Sequence, residues 1–279
     1  MTSLGPTVRR KQLGNALRRL RQAAGISMEE AASHLDCARS RVSQMETGRS
    51  APRKPDLEAL LRLYGADEQT AVALEDLRRE GSKRGWWSTY KLPDWLADLV
   101  GLEADAVTER AVELELIPAL LQTEAYARAV HLASPTSTVT ERGIAARMER
   151  QKRLVDADPL TFSAVISEAA LRRTLAQPGV AAEQLQRLAS SAQMANVTVQ
   201  VLPFSAGVHA SMSGSFTLLE FAPGVAVSVA FQEYAAGGQL VDEEDVVQFL
   251  TDLYDRLRGQ ALDADESLAL IAELAAQQE

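Results

Sequence analysis

Glycine punctuation constrains the first 80 residues more than any other feature of this chain. Leu13, Leu17 and Leu20 recur at helical spacing across residues 11–24, and Gly25 follows them. A residue in the left-handed conformation just past a helix satisfies the last free carbonyls, and glycine adopts that conformation without a Cβ penalty. Ser27-Met28-Glu29-Glu30 then has capping-box spacing, with Ile26 as the staple residue before the cap. A second helix therefore starts almost at once and runs to near Leu35. A third is expected from about Arg39 to Thr47, burying Val42 and Met45 and stopping at Gly48. Leu57, Leu60, Leu61 and Tyr64 mark a fourth, ended by Gly65, and Ala71, Leu74 and Leu77 a fifth, ended by Gly81. The pattern predicts an all-α, five-helix unit over residues 1–80.

Residues 81–95 break this pattern and hold all three tryptophans, Trp86, Trp87 and Trp95. We read 81–94 as a linker whose far end docks on the next domain, because aromatics beside amphipathic helix usually bury themselves; stacking on bases is the sharper alternative. From 95 to 279 the pattern is mixed. Helices are expected over roughly 95–100, 118–132 (with Pro118 in the first turn), 138–156, 168–176 and 181–193. Strands are expected at Leu160–Ile166, Val197–Leu202, Phe216–Phe221 and Val225–Phe231. The last two flank Ala222-Pro223-Gly224 and should form an antiparallel hairpin. Val246, Phe249, Leu250, Leu253 and Leu257 line one face of a further helix over 242–258, and Leu268–Leu274 a last one. The fold class is α+β overall: the all-α head, then a larger α+β domain with a small, at least partly antiparallel sheet.

Net charge alone, −9 over 279 residues, argues against nucleic acid as a partner. Its distribution reverses that reading. Residues 1–55 carry eleven Lys/Arg against four acids, so +7, which leaves −16 for the remainder. A basic head on an acidic body suggests a nucleic-acid reader, against the plainer alternative of a solvated basic face. No apolar run approaches the ~20 residues of a membrane span, and the first residues have charge without a following apolar core, so neither membrane insertion nor secretion is expected. The lone Cys37 fits a reducing cytoplasm.

Helix, tight turn and second helix with polar outer positions is the bihelical motif whose second helix enters the major groove. Leu13-Gly14, Leu17-Arg18-Arg19-Leu20-Arg21, Gly25 to Ala32, Arg41 to Arg49 and Pro52 together resemble the Xre/phage-repressor helix-turn-helix family over about residues 10–80. Arg39, Ser40, Ser43 and Gln44 fall on the outer, amino-terminal side of the second of these helices, where side chains reach base edges; Arg41 either reads a base or holds a phosphate. Ser27 and the amides beside it would face a phosphate, and Arg49, Arg53 and Lys54 suit backbone phosphates. Two departures from the family stand out. Met28 and Glu29 occupy positions where many relatives carry a phosphate-contacting Gln, and Ala38 replaces the usual Ser or Thr cap, for which Asp36 can substitute. Glu46 would be repelled by phosphate and is read as an internal partner for an arginine of the first helix.

Trp86-Trp87, Leu92-Pro93-Asp94-Trp95-Leu96, Pro118 to Ala129, Arg147, Arg150-Gln151 and Val199 to Phe204 are similar to the uncharacterised carboxy-terminal domain of many actinobacterial, antitoxin-like transcription regulators. That resemblance spans about 85–275. It implies regulation, often with a small partner protein encoded nearby, and names no ligand. His34, His131 and His209 lack metal-ligand spacing, and neither a P-loop nor a Gly-x-Ser-x-Gly elbow occurs, so no metal, no cofactor and no enzyme activity are expected. The small-residue loop Ser205–Ser215 reads as a connection before a ligand site, and Glu220 with Glu233 as solvated strand positions before a carboxylate pair. The sequence reading is a cytoplasmic, nucleoid-associated, sequence-specific regulator. It binds double-stranded DNA as a homodimer through a body that senses a ligand or protein. An antitoxin-like protein that autoregulates its operon is the alternative, and a cryptic enzyme fused to a DNA-binding module the third. The apolar face of the 242–258 helix serves dimerisation and internal burial equally well.

Overall fold

The computed structural model describes residues 4–133 and 141–277. The chain divides into two compact units. One runs to Ser88 and takes in the four residues Pro223–Ala226; the other runs from Thr89 to Ala222 and resumes at Val227.

The first unit contains five helices, α1 (Pro6–Ala23), α2 (Met28–His34), α3 (Arg39–Glu46), α4 (Lys54–Leu63) and α5 (Glu68–Gly81). Their shared core is Leu13, Leu17, Ala31, Val42, Met45, Leu57, Leu60, Leu61, Tyr64 and Leu74. Helix ends follow local chemistry. Gly25 has φ +69°, and the Ile26 N–H donates to Arg21 O at 3.1 Å across it, closing α1 in a Schellman turn. Gly65 (φ +70°) closes α4 the same way, with Ala66 N donating to Leu61 O at 3.0 Å. Asp67 caps α5 by accepting from Thr70 N at 2.7 Å. Gly81 departs from expectation: it remains inside α5, whose C-cap is Ser82. Its missing side chain serves packing instead, since a Cβ there would stand 3.0 Å from the Arg10 side chain.

The second unit adds, in chain order, α6 (Asp94–Glu103), β1 (Thr108–Glu113), α7 (Glu124–Ala133), α8 (Glu141–Arg150), β2 (Thr161–Ser167), α9 (Glu168–Leu175), α10 (Pro178–Ala192), β3 (Val197–Leu202), β4 (Phe216–Glu220), β5 (Val229–Tyr234), β6 (Gly237–Val241), α11 (Glu244–Gln260) and α12 (Ala264–Ala276). The six strands form one mixed sheet in the order β3-β2-β1-β4-β5-β6. β1–β2 and β2–β3 are parallel, with Val112 opposite Val165 and Ala164 opposite Val199. Parallel neighbours need long crossovers, which here pass through α7–α8 and α9–α10. The remaining pairs are antiparallel, including the expected β4–β5 hairpin with Thr217 opposite Phe231. Val247, Leu250, Leu253, Tyr254 and Leu257 of α11 pack with Val112, Val165, Phe216 and Leu218 on one face of the sheet.

Several local expectations are corrected. Pro118 precedes a 3-10 turn at Ala119–Leu121, and α7 begins only at Glu124. The helix expected over 138–156 is α8 followed by a 3-10 turn at Gln151–Leu154; residues 138–140 lie outside the described residues. On α11, Val246 and Phe249 face outward and Val247 and Tyr254 inward, because Tyr254 buries its ring and bonds Ser163 Oγ at 2.6 Å through its hydroxyl. β1 and β6 were not anticipated. Trp87 is buried against Gly85, and Trp95 stacks on Phe231 with centroids 6.0 Å apart and planes 14° from parallel.

Candidate nucleic-acid interface

The capping box at α2 forms as its residue types require. Glu30 N donates to Ser27 Oγ at 3.1 Å, while the Glu30 carboxylate accepts from Ser27 N at 2.7 Å and from its hydroxyl at 2.8 Å. These bonds, the Ser27 amide first, hold the Glu30 carboxyl below its usual range. Ser27, expected at a phosphate, thus commits its amide and hydroxyl to the cap. The turn to α3 passes through Asp36 at φ +48°, a left-handed conformation that a short polar side chain tolerates. Asp36 does not cap α3: the N-cap is Ala38, and no side chain bonds the free amides there.

The inner side of α3 is fixed by three contacts. Val42 and Met45 are fully buried. Gly14 of α1 permits close approach, since a Cβ there would stand 2.7 Å from Met45 O and 2.6 Å from Glu46 O. Glu46 takes two bonds from Arg21 of α1, at 2.6 and 2.9 Å, and Arg21 also donates to Ile26 O at 2.8 Å. The pair is nearly dry, with side chains 10% and 3% exposed. The bond to Glu46 raises the Arg21 pKa further above its usual value. Glu46 is thus the internal partner its sign suggested.

The outer side of the same helix carries Arg39, Ser40 and Gln44, exposed, and Ser43, half-buried. Arg41 turns away toward α4, where its Nη2 meets Asp56 Oδ2 at 2.5 Å. Arg39 meets Glu29 of α2, Nε to Oε1 at 2.9 Å. Arg49 lies exposed beyond the end of α3, and Arg53 and Lys54 lie exposed at the start of α4, with Lys54 3.9 Å from Glu58. One helix face therefore gathers four of the five residues expected to read bases, and the basic residues expected at phosphates flank it. Glu29 and Asp56 are the partners that sequence reasoning missed; both pairings join different helices, and no local spacing marks them.

The second unit holds other candidate features. An apolar groove of about 450 Å³ is lined by Leu116, Tyr126, Ala129 and Val130, with Arg173 and Glu115 paired at 2.6 Å among its lining residues. On the sheet, Glu109 is buried with Oε2 lacking a hydrogen-bond partner, near the buried pair Arg150–Glu103. Burial and then the Glu103 charge push Glu109 well above the carboxylate range. Glu113 is pushed to about 7, mainly by burial. Glu220 pairs with Arg110 at 3.0 Å. In the loop expected at 205–215, Val208 and Met212 are exposed and Ser211 bonds Gly214 O at 2.7 Å. Among the described residues, no group of three or more His, Cys, Asp or Glu is placed to hold a metal, and no helix is long and apolar enough to cross a membrane.

Two family models match the chain. Residues 12–74 match a helix-turn-helix domain, which supports a DNA-binding regulator, and residues 96–273 match a domain of unknown function, DUF5753. No curated protein and no solved structure matches it.

Proposed function

We propose that this chain, which belongs to the DUF5753 family and carries a helix-turn-helix domain ahead of that match, is a sequence-specific transcription regulator whose α3 lies in the major groove. The observation that carries this reading is the asymmetry of α3. Its inner side is held by Val42, Met45, Gly14 and the Arg21–Glu46 pair, while Arg39, Ser40, Ser43 and Gln44 stand on the other. Arg and Gln on a rigid helix suit guanine and adenine edges, each bidentate contact being worth ~1–3 kcal/mol of discrimination. Arg41, held by Asp56, suits a phosphate better than a base. Arg49, Arg53 and Lys54 supply the sequence-independent part of the affinity.

A single reading helix makes a small contact, so the protein acts as a homodimer on two half-sites ~34–36 Å apart. The acidic body contributes dimer contacts and senses a ligand or protein without catalysing a reaction, and the site of action is cytoplasmic DNA. A second reading, an antitoxin-like body that binds a small partner protein while the head autoregulates the operon, is favoured by Phe249, 65% exposed on α11 beside the exposed Val246. Selection of bound duplexes from a random library by the full chain tests the main reading. A two-fold symmetric motif is the expected outcome, and recovery of unenriched sequence would sink it. Light scattering of the purified protein separates a homodimer from a monomer that waits for another chain.

A further inference from the structure

We propose that Glu29 is a specificity-determining positioning residue, which aims the Arg39 guanidinium at a guanine and at the same time weakens binding to DNA of any sequence. This rests on the DNA-binding reading above and deepens it.

Arg39 is the first residue of α3 and Glu29 the second of α2. The Glu29 carboxylate forms an ion pair with Arg39, its Oε1 standing 2.9 Å from Nε. A guanidinium has five N–H donors in a planar fork, and holding it by Nε leaves both terminal nitrogens to donate side by side. That is the arrangement which meets O6 and N7 of a guanine. Arg41 shows the contrast: Asp56 takes one of its terminal nitrogens, Nη2, so its fork is already engaged. At Arg39 the carboxylate stands instead beside Nε, behind the two tips of the fork.

Glu29 does not complete the cap of α2, because Glu30 fills the capping box, its amide donating to Ser27 Oγ and its carboxylate accepting from Ser27 N. Nor does the pair stabilise the fold appreciably. Its two side chains are 66% and 64% exposed, and such pairs contribute ~0–1 kcal/mol. From sequence the start of α2 is expected near a phosphate, and a carboxylate there would repel it. The residue thus opposes binding in general and favours one base, so its removal moves affinity and discrimination in opposite directions. Loss of structure would lower both together.

The test uses the full chain and four proteins: wild type, E29Q, E29D and R39A. Affinities are measured for the selected operator, for operators substituted at each base pair of one half-site, and for an unrelated duplex, at two salt concentrations. E29Q is expected to bind the unrelated duplex more tightly, with discrimination at the Arg39 position falling at least about threefold of the ~5–150-fold that a bidentate contact supplies. E29D keeps the charge but is one methylene shorter, so it should keep the weak general affinity while losing discrimination. Discrimination unchanged in E29Q overturns the proposal, as does a parallel fall of both affinities. A base preference lost in E29Q but kept in R39A also overturns it, since Glu29 would then read a base itself. R39A without effect on any duplex would instead refute Arg39 as a base reader, whereas failure of the wild type to select any operator would refute the DNA-binding reading.

Discussion

The Arg21–Glu46 pair ties α3 to α1, and Glu46→Ala tests how far the pose of α3 depends on it. The pair is bidentate at 2.6 and 2.9 Å, with side chains 10% and 3% exposed. Removing one member of such a pair costs ~3–5 kcal/mol, because the remaining charge is left buried without its partner. Arg21 keeps its bond to Ile26 O at 2.8 Å, which places the expected loss near the lower end, about 3 kcal/mol. A unit of roughly 80 residues has only ~4–12 kcal/mol of stability to lose. Followed by circular dichroism in urea, with a slope of ~1.5 kcal/mol/M, the head's transition should move down by about 2 M. The double variant Arg21→Met, Glu46→Leu removes both charges and keeps the volume, so it should recover most of the loss. A single variant that loses less than ~1 kcal/mol, or a double variant no more stable than the single one, would refute the reasoning.

Gly14→Ala should weaken operator binding and destabilise the head, because the new methyl meets two carbonyl oxygens of α3 that cannot swing aside; thermal melting and a binding titration read both effects. The half-buried Glu113 makes stability fall as pH rises. Its carboxyl, shifted from 4.5 to about 7, binds a proton that the unfolded chain has already lost between those values. Its contribution is therefore undiminished below about 4.5 and lost as pH rises through 7. Glu113 faces Ser215, Glu233, Arg147 and Tyr126. Glu113→Gln should flatten the decline across that interval by up to ~3 kcal/mol, and equal slopes for the two proteins would contradict the assignment. Phe249→Ser should leave the melting temperature almost unchanged, since the ring is 65% exposed; if it also leaves the oligomeric mass unchanged, the outer face of α11 is not the dimer contact.

The head was legible because its boundaries are set within four or five residues. Gly25 and Gly65 in the left-handed conformation, the Ser27–Glu30 box and the Asp67 cap are local events. Outer and inner positions of α3 follow from the 3.6-residue period alone. Glu46 announced itself by its sign, although sequence did not say which arginine it meets. Longer-range pairing was not legible. β1 reads Thr-Glu-Arg-Ala-Val-Glu, which no strand pattern favours. Its Arg110 is matched by Glu220, and Glu109 lies near an ion pair formed by Glu103 and Arg150, 47 residues apart in sequence. β6 begins with two glycines and borrows its order from β5 and from Trp95, whose ring closely approaches Gly237 and Gly238. The same limit hid the interface acids: Glu29 meets Arg39 and Asp56 meets Arg41 only after separate helices have packed.

In the proposed mode of binding, one face of α3 reads bases while the residues around it hold phosphates. It is tested most directly by measuring Arg39→Ala and Arg53→Ala against the selected operator and a scrambled duplex at two salt concentrations. Arg39→Ala should narrow the gap between the two duplexes, whereas Arg53→Ala should weaken both alike and reduce the salt slope by about one. If both variants weaken both duplexes equally, or if neither changes either affinity, the assignment of α3 as the reading helix is contradicted.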